Sequence, residues 1–244
     1  MSMSRLQPRV VFFDIGQTLA TTGMQSPRRL LGSRLQLTER EVRNAGRLLM
    51  THCGDQPDSL ADALARILTD RAPERIRSVL DRLWEEQTLC VREIPGATLL
   101  LKSLKEMGLK LGVVSNTWHP LYVGFYRNCP ELNGLLDYTF LSYRMGCKKP
   151  AAQFYQSVLH ETGEKPAVCW MVGDSCELDM EPARHAGMRT LWVLCRPERE
   201  PESLVRMLRE ERPRPDWVVQ SLDDILPFFQ RMMGGRTGRG GKLQ

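Results

Sequence analysis

The hydrophobic and polar positions of this chain alternate between short apolar runs and amphipathic stretches. Residues 97–108 place leucines at helical spacing and end in a glycine, and the apolar run 109–115 follows directly. The same alternation continues to residue 232, with further apolar runs at 167–174, 188–195 and 216–221. Because buried parallel strands read as continuous apolar runs between crossover helices, the pattern predicts an α/β protein with a doubly wound parallel sheet.

Between residues 21 and 94 helical periodicity dominates, and the pattern predicts three helices and no strand. Thr38 and Glu41 form a capping box before the first helix, a leucine stripe marks the second, and Pro73 opens the third. This segment comes directly after the first apolar run, so a helical insert interrupts the α/β unit. The predicted domains are an α/β core of residues 1–20 and 95–232, a helical cap of residues 21–94 and a flexible basic tail of residues 233–244.

Composition and charge narrow the class of protein. A chain of 244 residues with 42% hydrophobic and 26% charged content can bury one good core with a smaller appended unit. Part of the net charge of +5 comes from the C-terminal "GGRTGRGGKLQ", where no aromatic residues interleave with the basic ones, which favours a solvated tail over a nucleic-acid-binding segment. Seven cysteines without C-x-x-C pairs favour a reducing compartment. We therefore expect a cytoplasmic monomer or homodimer with no membrane or nucleic-acid partner.

Polar residues follow three of the predicted strands at the point where each strand ends. Asp14 ends the first apolar run, Ser115 ends the run 109–115, and Asp174 ends the run 167–174. In an open α/β sheet, ligands bind in the crevice at the carboxyl ends of the strands. A carboxylate at the edge of a core is costly unless a cation or partner holds it, so these residues are predicted to share one functional crevice.

Four motifs appear in order around these strand ends. Asp14 precedes Thr18-Leu19, Ser115 precedes Asn116, Lys149 precedes Pro150 and Phe154, and "VGDSCELD" supplies Asp174 and Asp179. With these motifs the chain resembles the haloacid dehalogenase (HAD) superfamily along nearly its whole length. The resemblance implies a Rossmann-like core, a C1-type cap and a hydrolase that acts on a small phosphorylated metabolite.

The resemblance also implies a role for each motif residue. Asp14 would be the nucleophile, Ser115 and the Asn116 amide would bind phosphoryl oxygens, and Lys149 would screen negative charge. Mg²⁺ would be held by Asp14, Asp174 and the backbone carbonyl of Gly16, and Asp179 would orient these ligands from outside the coordination sphere. Lys148 is the adjacent alternative to Lys149, and Asp179 could instead be a first-turn carboxylate favoured by a helix dipole. His119, just after the second motif, could approach the site, but we interpret it as an exposed loop residue.

The first motif departs from the pattern usual for phosphatases of this family, which is Asp-x-Asp. This chain has Asp14-Ile15-Gly16, so the second carboxylate, the usual general acid and base, is absent. Three hypotheses stay open: a slow Mg²⁺-dependent phosphatase that forms an aspartyl-phosphate, a 2-haloacid dehalogenase-type hydrolase, and a catalytically silent binding protein. The carboxylates Asp174 and Asp179 favour the first hypothesis over the second.

Overall fold

The computed structural model describes residues 7–23, 25–211 and 214–234. Its main sheet has six parallel strands in the order β5-β4-β1-β6-β7-β8, which confirms the predicted doubly wound α/β fold. The strands of this sheet are β1 (Val10–Phe13), β4 (Lys110–Ser115), β5 (Tyr138–Leu141), β6 (Cys169–Gly173), β7 (Arg189–Val193) and β8 (Trp217–Val219).

Helices cover both faces of the sheet, and the side chains of β1 alternate between the two. Val11 and Phe13 pack in the cluster that contains helices α5 (Ala97–Glu106) and α12 (Ile225–Gly234). Val10 and Phe12 pack on the opposite face, against α9 (Ala152–Thr162), α10 (Glu181–His185) and α11 (Pro201–Leu208). A strand buried on both faces explains why the sequence from Val10 to Phe13 is apolar without interruption.

The segment after β1 is helical, as predicted, but it contains more helices than the sequence pattern indicated. Its described residues form four helices rather than three: α1 (Pro27–Leu35), α2 (Glu39–Thr51), α3 (Pro57–Ile67) and α4 (Pro73–Leu89). The Thr38–Glu41 capping box is present at α2, where the Thr38 N–H donates to Glu41 at 2.7 Å. The unpredicted helix α1 begins at a proline and has only four buried residues, so its apolar stripe is weak in the sequence.

Two short strands join this helical insert, α1–α4, to the sheet. β2 (Ala20–Thr21) pairs antiparallel with β3 (Arg92–Glu93), contrary to the prediction that no strand lies between residues 21 and 94. A pair of two-residue strands is too short to show any periodicity. Three further helices complete the core: α6 (His119–Asn128), α7 (Pro130–Gly134) and α8 (Ser142–Met145).

The C-terminal end departs slightly from its prediction. Helix α12 continues to Gly234, past the predicted start of the tail at residue 233, and residues 235–244 of that tail lie outside the described residues. Within the described parts of the chain, no helix combines the length and apolar character that crossing a membrane requires.

Candidate active site

The three polar strand ends lie side by side in the structure. Strand β1 pairs with β4 on one side and β6 on the other. Asp14 and Asp174 directly follow β1 and β6, and Ser115 is the last residue of β4, so the three lie at the same edge of the sheet. The Asp14 N–H donates to the Val172 carbonyl oxygen at 2.9 Å, which continues the β1–β6 ladder by one residue. Parallel strands with apolar interiors therefore carry the chemistry-bearing residues to one edge, as the sequence predicts.

Lys149 occupies the centre of this edge. Its ammonium group donates to Asp14 Oδ1 at 2.7 Å, to Asp179 Oδ1 at 2.5 Å and to the Val114 carbonyl oxygen at 2.9 Å. Burial alone would lower the pKa of Lys149, but Asp14 and Asp179 raise it above its usual range, so the ammonium stays charged. The alternative residue, Lys148, makes no ion pair or hydrogen bond through its side chain within the described residues. The geometry therefore favours Lys149.

The side chain of Asn116 holds the backbone of Lys149. Asn116 Nδ2 donates to the Lys149 carbonyl oxygen at 2.9 Å, and its Oδ1 accepts from the Lys149 N–H at 2.8 Å. This pair joins the loop after β4 to the loop that carries Lys149. Because the side-chain amide is occupied in this way, a contact from Asn116 to a phosphoryl oxygen is left to its backbone N–H.

Asp179 is buried and fixed from two sides. Besides Lys149, it accepts the Ser175 N–H through Oδ2 at 3.1 Å, within a π-helical turn at Cys176–Met180. A Cβ atom on Gly173 would lie 2.3 Å from Asp179 Oδ2, so only glycine at that position leaves space for the carboxylate. Burial raises the pKa of Asp179, and the adjacent Lys149 opposes that change. These contacts exceed what a helix-dipole role alone would need.

Asp174 has a cationic partner of its own. Its carboxylate binds the guanidinium of Arg196, which lies just after β7, and its carbonyl oxygen accepts from Trp192 Nε1 at 3.0 Å. Burial, together with the charge of Asp14, raises the pKa of Asp174, and Arg196 lowers it. Sequence reasoning missed Arg196, although it follows an apolar strand of the same sheet. The rule that singled out Asp14, Ser115 and Asp174 applies to it as well.

Two serine side chains near the crevice differ in their hydrogen bonding. The Ser115 side chain is buried and has no hydrogen-bond partner within the described residues. Ser142, which the sequence did not single out, accepts the Thr117 N–H at 3.0 Å and donates to the Thr117 carbonyl oxygen at 2.9 Å. The loop after β4 is therefore fixed, while the hydroxyl of Ser115 retains its capacity to bind a ligand.

His119 is not the exposed loop residue that the sequence suggested. It begins helix α6, is partly buried and stacks on Trp84 of α4, with ring centroids 5.4 Å apart. A second ring, that of Tyr143, meets it edge-on at 5.6 Å. Burial lowers the pKa of His119, with Asp55 opposing and Arg144 adding to the effect. His119 thus contributes to the contact between the helical insert and the core.

The donor chemistry of the site fits a hard divalent cation. Three carboxylates, Asp14, Asp174 and Asp179, face only two cations, Lys149 and Arg196. Asp14 Oδ2 makes no hydrogen bond within the described residues, and oxygen ligands of this kind suit Mg²⁺. The described residues contain no group of three or more His, Cys, Asp or Glu side chains arranged to hold a metal. Two carboxylates and the Gly16 carbonyl would therefore leave the remaining ligand positions to water or substrate.

Comparison with known proteins identifies the family to which the chain is similar. Residues 8–187 match the family model described as haloacid dehalogenase-like hydrolase. The chain is 23% identical to a glyceraldehyde 3-phosphate phosphatase from Pyrococcus furiosus over 238 residues, which cover 93% of this chain and 95% of that protein.

Two solved structures show the same fold. A HAD phosphatase from Thermococcus onnurineus is 18% identical with a TM-score of 0.57, covering 94% of this chain and 99% of its own. L-2-haloacid dehalogenase from Xanthobacter autotrophicus is also 18% identical, with a TM-score of 0.58 and coverage of 92% and 99%. Since a phosphatase and a dehalogenase match equally well, the fold alone does not choose between them. Because the family model matches residues 8–187, most of its length, the chain belongs to the haloacid dehalogenase-like hydrolase family.

Proposed function

We propose that this protein is a Mg²⁺-dependent phosphatase of a small phosphorylated metabolite that acts through an aspartyl-phosphate on Asp14. The proposal rests on the difference in hydrogen bonding between the two oxygen atoms of the Asp14 carboxylate. One oxygen accepts from Lys149 at 2.7 Å, whereas the other has no hydrogen-bond partner within the described residues. A carboxylate that is held in place and keeps one free oxygen is suited to nucleophilic attack.

The other residues of the site support the same chemistry. In the first step Asp14 attacks phosphorus, the bond from phosphorus to the substrate oxygen breaks, and the departing alkoxide takes a proton from water to leave as the alcohol. Water then attacks the phosphorus of the aspartyl-phosphate and gives up a proton to solvent, the bond from phosphorus to the Asp14 oxygen breaks, and inorganic phosphate and the free Asp14 carboxylate result. Lys149 keeps positive charge beside both anions, and the Ser115 hydroxyl with the Asn116 N–H would bind phosphoryl oxygens. Asp179 keeps Lys149 in place through its contact at 2.5 Å.

Mg²⁺ would be held by Asp14, Asp174 and the carbonyl of Gly16. When bound, it supplies further neutralisation of the negative charge that gathers on the phosphoryl group. Asp14 and Asp174 directly follow the paired strands β1 and β6, so their carboxylates lie at the same edge of the sheet. Without such a cation the site has an excess of carboxylates, which repels a phosphate ester.

Gly16 and the named relatives point to the kind of substrate. Without a second carboxylate, the leaving oxygen must take its proton from water, so the reaction is slow unless the leaving group is good. The Pyrococcus furiosus relative is named as a glyceraldehyde 3-phosphate phosphatase. Triose phosphates are therefore the first compounds of the substrate panel, followed by sugar phosphates and phosphoglycolate.

The test is phosphate release from that panel, with and without Mg²⁺, by the wild type and Asp14→Asn. We expect turnover that requires both Mg²⁺ and Asp14. A parallel arm measures halide release from a 2-haloacid without metal, because a dehalogenase forms its ester on the same aspartate and needs no leaving-group acid. Halide release without phosphatase activity would replace this proposal with the dehalogenase hypothesis. Binding of a phosphorylated compound without turnover would favour the silent binding protein.

A further inference from the structure

The contact between Arg196 and Asp174 has no role in the reaction proposed above. Arg196 Nη2 binds Asp174 Oδ2, and the carboxylate side chain is only 15% exposed. Both side chains lie at the carboxyl ends of neighbouring strands, because Asp174 follows β6 and Arg196 follows β7, its partner in the sheet. This ion pair therefore sits inside the candidate metal site rather than on the outer surface.

Arg196 is held there by few contacts of its own. Its Nε is buried and has no hydrogen-bond partner within the described residues. The Asp174 carboxylate is the partner of its guanidinium, and 27% of the Arg196 side chain is exposed. A purely structural arginine is usually satisfied at several donors, since each unsatisfied buried donor costs stability. Arg196 instead has one strong contact and a route to solvent.

The same carboxylate is the one that would bind Mg²⁺. An oxygen that accepts from a guanidinium has less negative charge to offer a metal, and the two cations repel each other at close range. We propose that Arg196 is a positioning residue that holds Asp174 in the metal-free protein and competes with the divalent cation for it. The proposal rests on the metal assignment made above and adds a residue that sets metal affinity.

Competition between Arg196 and Mg²⁺ for Asp174 predicts the direction in which Mg²⁺ affinity changes when Arg196 is replaced. If Arg196 must leave Asp174 before Mg²⁺ binds, the measured affinity is the intrinsic affinity reduced by the fraction of molecules in which Asp174 is free. Removing the guanidinium should then tighten Mg²⁺ binding. A structural ion pair predicts the opposite, because loss of Arg196 would leave Asp174 poorly placed and weaken the site. The direction of the change therefore separates the two roles.

The experiment is Mg²⁺ titration by calorimetry of the whole protein, with no substrate present. We expect Arg196→Gln to bind Mg²⁺ on the order of tenfold more tightly than the wild type, the effect of releasing one charge-assisted contact. Arg196→Lys keeps the positive charge but lacks the planar guanidinium, so its affinity for Mg²⁺ should lie between those of the wild type and Arg196→Gln. Arg199→Gln is the matched control, because Arg199 is exposed, follows Arg196 by three residues and makes no ion pair within the described residues.

Thermal unfolding gives a second readout. Without metal, Arg196→Gln should unfold at a lower temperature than the wild type, because Asp174 has lost its cation. Saturating Mg²⁺ should remove that difference, whereas a structural contact would leave it in place. Unchanged or weaker Mg²⁺ binding by Arg196→Gln would overturn the inference, and so would equal tightening in Arg199→Gln, which would indicate net charge alone.

The outcome is separable from that of the proposed function. If phosphate release depends on Asp14 and Mg²⁺ but Arg196→Gln binds Mg²⁺ no more tightly than the wild type, only the role of Arg196 is rejected. Tighter Mg²⁺ binding by Arg196→Gln without turnover of any phosphate ester would retain the competition and reject the phosphatase. Absence of Mg²⁺ binding in the wild type and every variant would overturn the inference together with the metal assignment.

Discussion

Gly16 has room for the carboxylate that the phosphatase motif normally carries. A Cβ atom built on Gly16 meets Asp14 Oδ2 at 3.6 Å and Thr22 Oγ1 at 3.9 Å, both ordinary contacts, and the backbone is outside the left-handed region. The next residue, Gln17, takes up the positive φ of this turn instead, at 64°. Substitution at Gly16 therefore needs neither backbone rearrangement nor displacement of a neighbour.

We expect Gly16→Asp to raise kcat on an alkyl phosphate by about 10-fold or more, a fraction of the usual contribution of a positioned acid. An aryl phosphate should gain much less, since its leaving group hardly needs a proton. Steady-state kinetics on both esters, with the unfolding temperature and Mg²⁺ binding measured in parallel, check this. A variant that folds, binds Mg²⁺ and gains nothing on any ester would show that the missing acid is not the limiting defect.

Gly173 is the opposite case, a glycine with no spare room. The Cβ of Gly173→Ala would stand 2.3 Å from Asp179 Oδ2, so either the carboxylate or strand β6 must move. We expect this variant to lose about 1–3 kcal/mol of unfolding free energy, the usual cost of overpacking, and to lose activity because Lys149 shifts with Asp179. Gly134→Ala is the control, because a Cβ there has no atom within 4 Å. Urea unfolding of the two variants and the wild type measures these changes. Equal free energies of unfolding for Gly173→Ala and Gly134→Ala would contradict the packing argument.

At the scale of elements, helix α4 of the insert is joined to helix α6 of the core by stacked rings. Trp84 stacks on His119 at 5.4 Å and meets Trp118 edge-on at 5.5 Å. Gly124 of α6 allows close approach, since a Cβ there would lie 2.4 Å from the Thr88 carbonyl oxygen of α4. The backbones of the two helices are therefore in close contact at Gly124 and Thr88, with the partly buried His119 packed against Trp84 near this contact.

The partial burial of His119 predicts a pH dependence of folding stability. Burial lowers the pKa of His119, so below its ordinary value near 6.5 the unfolded chain binds more protons than the folded one. Stability should therefore decrease as the pH falls from about 7 to 5, and Asp55, Arg144 and Tyr143 are the titratable or charged groups that act on the ring.

Urea unfolding at a series of pH values tests the assignment to His119. His119→Phe keeps a ring for Trp84 to stack on and removes the titration, so its stability should vary less over this pH interval. His160→Phe on the exposed side of α9 is the control and should behave as the wild type. An unchanged pH profile in His119→Phe would place the titration elsewhere.

The helices and strands also differ in how well the sequence could predict them. Strands β1, β4, β6 and β7 were predicted because each is apolar enough to be buried on both faces. Strand β5 and helices α6 to α8 were not, because residues 117–148 mix aromatic, polar and glycine positions without a clear period. The Lys149 contacts to Asp14 and Asp179 span 135 and 30 residues and depend on the tertiary fold. Arg196 was missed because it carried no motif, although its place after a strand was visible.

At the scale of the whole molecule, one continuous hydrophobic cluster joins the helical insert to a face of the sheet. Leu31, Leu64 and Leu80 of the insert belong to the same buried cluster as Val11 and Phe13 of β1. The chain connections between the two parts are slight by comparison. They comprise the two-residue strands β2 and β3 and a hydrogen bond from the Ile94 N–H to the Leu19 carbonyl oxygen at 2.9 Å.

We propose that this insert acts as a cap that moves on those connections. Opening would part Trp84 from His119 and bend the chain near β2 and β3, whereas the four helices α1–α4 would stay packed on one another. A phosphate analogue bound between the insert and Asp14 would hold the closed arrangement. The β2–β3 connections should then be the backbone segments whose protection responds to ligand.

Amide hydrogen exchange with orthovanadate plus Mg²⁺ tests this movement. At about 100 times the dissociation constant, openings that require release of the ligand become on the order of 100-fold rarer, so exchange at residues 19–23 and 91–96 should slow by up to that factor. Exchange in strand β6, which is already buried, should change little.

Trp84→Ala should speed exchange at the same two segments without ligand, because it removes the ring that stacks on His119. Asp14→Asn, which removes the nucleophile, serves as the control for binding at the active site. Unaltered exchange at both segments in the presence of bound vanadate would make the insert a fixed wall of the crevice, and the choice of substrate would then depend on its shape alone.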